Sequence, residues 1–223
     1  MFTPFYHGMT RKITTAFGTL FNGIYIERGE NSTYKKIKIP LTYAPKERMM
    51  ERLNLELTDP KAYSVSLGVP RISFMMTGLE YDGERKKNTR ATRKVEKELA
   101  NGDVVVNYHY NEVPYKLFYS LFVYSRTMDD GLKIIEQILP FFTPEFTLTL
   151  KPGILNDTYE KIDVPITLLS IEPDQQFEGS FKDENQRTII WELKFSIRTS
   201  FYGPVRESGL IRTVDINLFD GID

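Results

Sequence analysis

The segment Leu117–Tyr124 is apolar on both of the faces that a β-strand presents. Successive side chains of an extended chain point to opposite sides. One side of this segment carries Leu117, Tyr119, Leu121 and Val123, and the other carries Phe118, Phe122 and Tyr124. Such a strand must be covered on both faces, by helices, by a second sheet or by another subunit. The surrounding segment Pro114–Ser125 therefore predicts a strand with a layer of structure on each side.

Apolar alternation and turn residues predict further strands around this one. Before it, Gly23–Arg28 and Tyr34–Tyr43 flank a hairpin turn at Gly29–Ser32, and Pro70–Asp82 and Val104–Asn111 follow. After it come Phe146–Lys151, Val164–Ile171, Arg187–Thr199 and an edge strand at Leu210–Leu218. In Arg187–Thr199 apolar residues alternate with charged ones, which indicates that one face of this strand is buried.

Three segments have the spacing of amphipathic helices. They are Thr10–Phe21, a helix that starts at Pro45 and ends near Asp59 and Pro60, and a helix between Thr127 and Pro140. Thr127 is predicted to cap the third helix, because its hydroxyl can accept a hydrogen bond from a free backbone N–H of the first turn. The buried stripe of this helix is predicted to consist of Leu132, Ile135, Ile138 and Leu139.

Composition excludes several classes of function. The chain has 223 residues, 41% of them hydrophobic, so one compact unit can bury roughly 70% of its surface. The absence of cysteine excludes a disulfide framework, a thiolate metal site and a cysteine nucleophile. The 29 Lys and Arg residues balance 30 Asp and Glu residues, so no overall field attracts the chain to nucleic acid or to a membrane. No signal peptide or membrane span is recognisable, and we expect synthesis in the cytoplasm.

Neither the histidines nor the common motifs predict a catalytic, metal or cofactor site. His7 and His109 are the only histidines, and they lack carboxylates at the spacing of metal ligands. The usual phosphate-binding loops, nucleophile elbows and zinc-protease motifs are missing. We therefore expect a protein that is not an enzyme.

Two groups of acidic residues are the exceptions. Asp129 and Asp130 can act as a paired acid and base, but their place at a helix start favours a simple interaction with the helix dipole. Asp157, Glu160 and Asp163 resemble loop charges more than a calcium site, because the spacing and the glycine of an EF-hand are lacking. An enzyme with an unrecognised carboxylate site stays open as an alternative.

The most prominent charge feature is a basic stretch that follows the strand Pro70–Asp82. It places six basic residues within ten positions: Arg85, Lys86, Lys87, Arg90, Arg93 and Lys94. One interpretation is a mobile, solvated loop around residues 83–100. The other is an arm that binds an acidic protein surface or, with less support, DNA, since no aromatic residues are interleaved to stack on bases. The acidic residues Asp215, Asp220 and Asp223 would complement this arm on a neighbouring copy in a head-to-tail assembly.

Several of these segments occur together in one order that identifies a family. They are YHGMTRKITTAFGTLFNGIYIER, KIPLTYAPKERMMERL, PRISFMMTGLEYDGERK, LKIIEQILPFFTPEFTLTLKP, DVPITLLSIEPDQQFEG and RTIIWELKF. The set resembles the tail sheath stabiliser and completion proteins of contractile-tailed bacteriophages. The likeness runs from about Tyr6 to about Ile197 and fades beyond it. Its motifs are prolyl turns, helix ends and strand pairs, so the resemblance supplies no catalytic residue.

The resemblance implies an α+β fold, with a mixed, mostly antiparallel β-sheet and two or three helices packed against it. A single tail-terminator domain is expected over residues 1–223, with an extension at 200–223. The implied function is that of a structural virion protein without a cofactor. It would cap the tail tube and the top of the contractile sheath as a hexameric ring, stabilise the extended sheath and offer a surface for the neck and head.

The partners that the resemblance implies are other copies of the chain, the tail tube protein, the tail sheath protein and the neck proteins. No membrane and no specific nucleic acid are expected, and the implied location is the head-proximal end of the phage tail. The alternative from another class is a neck or head-completion adaptor whose basic arm contacts DNA. A salt-sensitive interaction with duplex DNA would favour that alternative.

Overall fold

The computed structural model describes residues 4–28, 35–58, 68–88, 90–98, 104–151, 161–174, 188–204 and 206–209. The helices are α1 (Met9–Leu20), α2 (Lys46–Thr58) and α3 (Met128–Ile138), and 3-10 turns lie at Gly83–Arg85 and Leu139–Phe141. The strands are β1 (Tyr25–Arg28), β2 (Lys35–Lys38), β3 (Leu41–Tyr43), β4 (Arg71–Tyr81), β5 (Thr92–Glu98), β6 (Val104–Tyr110), β7 (Val113–Ser125), β8 (Glu145–Leu150), β9 (Ile162–Asp174), β10 (Ile189–Phe201) and β11 (Arg206–Gly209).

A six-stranded sheet with the order β3-β4-β7-β10-β9-β8 forms the centre of the fold. Only the β3–β4 pair is parallel, and the other pairs in this sheet are antiparallel. Two smaller antiparallel sheets consist of β1 with β2 and of β11, β6 and β5. With helices packed on the central sheet, this is the predicted α+β fold. None of the described helices is long and apolar enough to cross a membrane.

Helices cover β7 on both faces, which confirms the prediction from its doubly apolar pattern. On one face Leu117, Leu121 and Val123 join a large core with residues of α1 and α3. On the other face Phe122 and Tyr124 join a smaller core with residues of α2. The central sheet is therefore a layer between two separate apolar cores.

Helix α1 is held on the sheet by the ring of Phe17, which is fully buried. Its centroid lies 4.8 Å from that of Tyr119, 5.3 Å from Phe195 and 5.5 Å from Phe74. The next residue, Gly18, allows the close approach, because a Cβ atom there would lie 2.8 Å from Cζ of Phe74. Glycine has a low helix propensity, but the packing of α1 against the sheet requires it at position 18.

Helix α3 buries Ile135 and Ile138 as predicted, but the rest of its buried stripe differs from the prediction. Thr127 caps it as predicted, since the backbone N–H of Asp130 donates to Oγ1 of Thr127 at 3.2 Å. The buried residues are Asp130, Gly131, Ile134, Ile135 and Ile138. Leu132 and Leu139 are exposed, so their assignment to the core was wrong.

The small residue Gly131 explains this rotation of α3. A Cβ atom at Gly131 would lie 2.7 Å from Nε1 of Trp191, so the face with no side chain is the one that fits against the indole. The ion pair of Asp130 with Arg28 at 2.5 Å also turns Asp130 inward, towards β1. Apolar spacing alone cannot distinguish the predicted stripe from the observed one, because each of them places apolar residues on the side of α3 that faces the sheet.

The predicted strand Tyr34–Tyr43 is divided between two sheets. Its first part, β2, pairs with β1, and its last part, β3, pairs in parallel with β4. The backbone N–H of Ile39 still donates to the carbonyl of Ile24, whereas the carbonyl of Pro40 accepts from Ile72, both at 3.0 Å. The chain therefore passes from the hairpin to the central sheet at Ile39 and Pro40.

Strand β10 is buried on both faces over part of its length, and the prediction of one buried face is corrected there. Leu193, Phe195 and Ile197 lie in the large core as predicted, but Ile190 lies in the smaller core under α2. The other predicted strands are found with shifted ends. Gly29–Ser32 and Leu210–Leu218 lie outside the described residues.

Replacement of Gly18 by alanine is expected to destabilise the fold. The added methyl group must displace the buried ring of Phe74, which costs about 1–3 kcal/mol, while the better helix propensity of alanine returns about 1 kcal/mol. Urea unfolding should show a net loss of about 1 kcal/mol. Gly23→Ala is the matched control, because no atom lies within 4 Å of the Cβ position there, and equal stability of the two variants would contradict this packing.

Alkaline pH is expected to destabilise the fold through Tyr124. Burial raises its pKa to about 12, although the hydrogen bond with Ser73 at 3.1 Å acts in the opposite direction. The unfolded chain loses this proton near pH 10, so stability is complete below pH 10 and falls by about 2–3 kcal/mol as the pH rises to 12. Urea unfolding of Tyr124→Phe should lose less stability over this range, whereas Tyr6→Phe, at a residue that is 80% exposed, should behave like the wild type.

Candidate functional site

The basic stretch lies at the corner where β4, β7 and β10 end, and only part of it is a loop. Residues 83–85 form a 3-10 turn directly after β4, whereas Thr92–Glu98 form β5, which pairs with β6 along its full length. The predicted loop around residues 83–100 is therefore corrected over Thr92–Glu98. Backbone pairing with β6 accounts for the difference, because Val95 and the three valines of β6 provide β-branched side chains between the charged residues.

Arg85 fastens the turn to the sheet instead of extending into solvent. Its Nε donates to Oδ2 of Asp82 at 2.6 Å, and its Nη2 lies 3.2 Å from the carbonyl oxygens of both Tyr115 and Thr199. Those two carbonyls belong to β7 and β10, so one guanidinium connects the ends of three strands.

The carboxylate of Asp82 lies at the centre of this arrangement and is almost completely buried. The hydrogen bond from Arg85 holds its pKa below the usual value, opposed by burial and aided by the charge of Lys116, whose Nζ is 3.6 Å from Oδ1. A buried carboxylate without such partners would be strongly destabilising. Asp82 and Arg85 are therefore a structural pair.

Lys87 is also used within the chain. Its ammonium group forms an ion pair with Glu112, whose side chain is nearly buried. The side chain of Asn111 donates to the carbonyl of Asn88 at 3.0 Å, and its backbone N–H donates to the carbonyl of Ala91 at 3.1 Å. These contacts attach the basic turn to the segment between β6 and β7.

Lys86 and Arg90 are the members of the basic stretch that remain available to a partner. Both are exposed, and neither side chain has a hydrogen bond or ion pair with any residue that the structure describes. At Arg93 and Lys94 the structure describes the backbone, in β5, but not the side chains. Arg85 and Lys87 therefore have structural roles, whereas Lys86 and Arg90 are exposed. The side chains of Arg93 and Lys94 lie outside the described part.

The other candidate residues have structural positions. Nε2 of His7 donates to the carbonyl of Gly203 at 3.0 Å, which connects the start of the chain to the segment after β10. Asp129 is exposed and pairs with Lys133 at 2.5 Å, while Asp130 pairs with Arg28 on another element. This separation supports the helix-dipole interpretation over an acid and base pair.

The remaining acidic candidate that can be placed is Asp163, which accepts a hydrogen bond from Thr149 at 2.7 Å across β8 and β9. No group of three or more potential metal ligands occurs within the described ranges. Asp157, Glu160, the side chain of His109 and the acidic residues Asp215, Asp220 and Asp223 lie outside them.

Two surfaces were not predicted from the sequence. The first is a groove of 620 Å³ between α1 and the end of β8, lined by the cationic residues Arg11, Lys12 and Lys151. Lys151 is distant from α1 in sequence, so no spacing pattern could have identified this groove. The second is the exposed apolar surface of α3, whose residues Leu132 and Leu139 were assigned to the core.

Comparison with known proteins relates the whole chain to phage tails. A family model described as T4-like virus Myoviridae tail sheath stabiliser matches residues 4–223. The chain is also 35% identical over 217 residues to the tail completion protein gp15 of Enterobacteria phage T4, which covers 96% of this chain and 78% of that protein. Because the family match extends to residue 223, the expectation that the likeness fades beyond Ile197 was wrong.

Replacement of Asp82 by asparagine is expected to lower stability at neutral pH, because the buried guanidinium contact loses its charged partner. The lowered pKa means that this contribution is present above about pH 4, the value for an unfolded aspartate, and disappears as the pH falls through the folded-state pKa. Urea unfolding should therefore separate the variant from the wild type at pH 7 and bring them together in acid. Glu84→Gln, at an exposed neighbouring position, serves as the control. A constant difference at all pH values would refute the electrostatic explanation.

Proposed function

The chain belongs to the tail sheath stabiliser family of T4-like Myoviridae, and we propose that it closes the head-proximal end of a contractile tail. The observation that carries the proposal is the family match over residues 4–223. The similar protein of phage T4 is named a tail completion protein, which agrees with a role at the end of tail assembly. We propose the virion as its final location, after synthesis in the cytoplasm of the host.

The proposed cap is a ring of six copies on the tail tube and the top ring of the sheath. Contacts between unlike surfaces of identical subunits build either a closed ring or an open filament, depending on whether the rotation closes. A closed ring ends a helical tail, because it offers no further subunit site of the same kind. On this proposal the partners are other copies of the chain, the tail tube protein and the tail sheath protein.

The proposed mechanism is a difference in binding free energy between two sheath states. A cap that binds the extended top ring more tightly than the contracted one stabilises the extended state by that difference. A shift of a two-state equilibrium from 1:99 to 99:1 requires a preference of about 10⁴-fold, or ~5.5 kcal/mol. Several subunits acting together can supply this from a modest preference at each contact.

A structural role without catalysis or cofactor is part of the proposal. It is supported by the use of the candidate carboxylates Asp130 and Asp163, and of the buried Asp82, in ion pairs or hydrogen bonds within the fold. These side chains therefore have a structural use that requires no substrate.

The outer face of the ring is proposed to bind the neck proteins, and the exposed cations Lys86 and Arg90 are proposed to contact an acidic partner surface. The earlier alternative, a neck adaptor that contacts DNA, is weakened because Arg85 and Lys87 are used in internal ion pairs. Each phosphate contact contributes about 0.9 to the salt slope of binding, so Lys86 and Arg90, the two cations of the stretch whose described side chains have no partner, contribute only a small slope.

Addition of the purified protein to tails assembled without it is expected to place ring-shaped density at one end of each tail in electron micrographs. The fraction of sheaths that stay extended in mild denaturant should rise with protein concentration and then saturate. Bare tubes without sheath are the control that separates binding to the tube from binding to the sheath. Unoccupied tail ends, or caps that leave the extended fraction unchanged, would reject the proposed function.

A further inference from the structure

Helix α3 and the turn after it expose an apolar surface that the fold does not use. Met128, Leu132, Leu139 and Phe141, here called the α3 patch, are 39–64% exposed. The three helix-side residues recur at a spacing that places them on one side of a helix. The opposite side of α3 is buried against the sheet through Gly131, Ile134 and Ile138. An exposed apolar surface on one side of a helix is a candidate surface for binding a partner.

A second exposed apolar surface lies at the other end of the central sheet. Leu79, Tyr81 and Val113, here called the sheet-end patch, are 41–52% exposed. Strand register places them on one sheet face, because Tyr81 is opposite Tyr115, which lies two residues after Val113 on β7. The ring of Tyr81 packs edge-on against Tyr115 with centroids 5.8 Å apart, so the patch has a rigid base.

The outer edge of β4 is open at this patch. Strand β3 pairs only with Ile72–Phe74, and no strand within the described ranges pairs with the outer edge of β4 beyond them. Leu79 and Tyr81 therefore border unpaired backbone groups as well as solvent. Such an edge favours association with another chain unless it is covered.

The two patches lie on different elements of the fold. Val113 begins β7, and α3 starts shortly after β7 ends at Ser125. Two unlike apolar surfaces on different elements are what a head-to-tail contact between identical subunits requires, because each copy must provide both halves.

The charges around the patches are complementary. Lys86 and Arg90 follow β4 in the chain, and their exposed side chains have no partner among the residues that the structure describes. On α3 the exposed Glu136 lies four residues after Leu132 and three before Leu139, and Asp129 pairs with Lys133 on the same helix. Opposite charges at the rims of two apolar patches orient an encounter and discourage like-to-like contact.

We propose that the α3 patch of one copy binds the sheet-end patch of the next copy. This inference rests on the ring of the proposed function and assigns the surfaces that close it. Tail tube, sheath and neck proteins would then bind elsewhere on the chain, since both patches are covered between subunits.

Cross-linking tests the contact directly, because the chain contains no cysteine. A double variant with Leu132→Cys and Tyr81→Cys should give a ladder of covalent multimers with a short bismaleimide, ending at the ring. Either substitution alone should give no cross-link, because each contact then holds only one thiol. Leu132→Cys with Leu169→Cys is the matched control, since Leu169 is 56% exposed but belongs to neither patch.

Interface variants provide the second measurement. Leu132→Glu with Leu139→Glu, and separately Leu79→Glu with Tyr81→Glu, should each abolish rings while the thermal unfolding midpoint changes little, because all four side chains are exposed. An equimolar mixture of the two variants should form only heterodimers in mass photometry, because one intact contact remains between them. Rings that persist in both variants would overturn this interface and leave the proposed function standing.

Two further outcomes would also overturn the inference. A homodimer cross-linked through either single cysteine substitution would show a contact between like surfaces. If the wild-type protein forms no ring in solution and none on tail ends, both this inference and the proposed ring fail. A ladder in the double variant together with heterodimers in the mixture would establish the head-to-tail contact.

Discussion

Burial of β7 on both faces is the constraint on which the rest of the fold depends. A strand without a polar face requires one layer on each side, and here α1 and α3 provide one layer and α2 provides the other. The neighbouring strands contribute to the same layer, because Phe74 on β4 and Phe195 on β10 also contact the ring of Phe17. The packing of α1 then requires a glycine at position 18, so a weak point in helix propensity is a consequence of the same constraint.

The ends of this sheet are stabilised by charge. Arg85 contacts Asp82 and two strand carbonyls. The turn that follows β4 therefore cannot detach from the sheet without leaving the buried carboxylate of Asp82 without its hydrogen-bond donor. A cluster of cations in the sequence therefore has two roles, depending on which side chains face inward. Lys86 and Arg90, which face solvent, keep their charge available, whereas Arg85 and Lys87 are neutralised by Asp82 and Glu112.

The proposed role depends on binding to other proteins, so the exposed surfaces of the chain determine which contacts it can make. The described surface combines a cationic groove beside α1, exposed cations at one sheet corner and two apolar patches. Apolar surfaces suit permanent contacts between copies, and charged surfaces suit contacts that form during assembly. The proposed division of roles assigns the two apolar patches and the exposed cations Lys86 and Arg90 to the ring, and it leaves the cationic groove beside α1 for tail and neck partners.

The sequence by itself determined the family, the three helices and most of the strands, because β-alternation, helical spacing and caps such as Thr127 are local properties of the chain. It could not determine which apolar residues of α3 enter the core, because that depends on the fit of Gly131 against Trp191, a residue distant in the chain. It could not divide the basic stretch either, since the partners of Arg85 and Lys87 are brought close only by the sheet. Tertiary structure alone decided which side chains remain exposed to bind a partner, because exposure is what remains after distant segments have packed together.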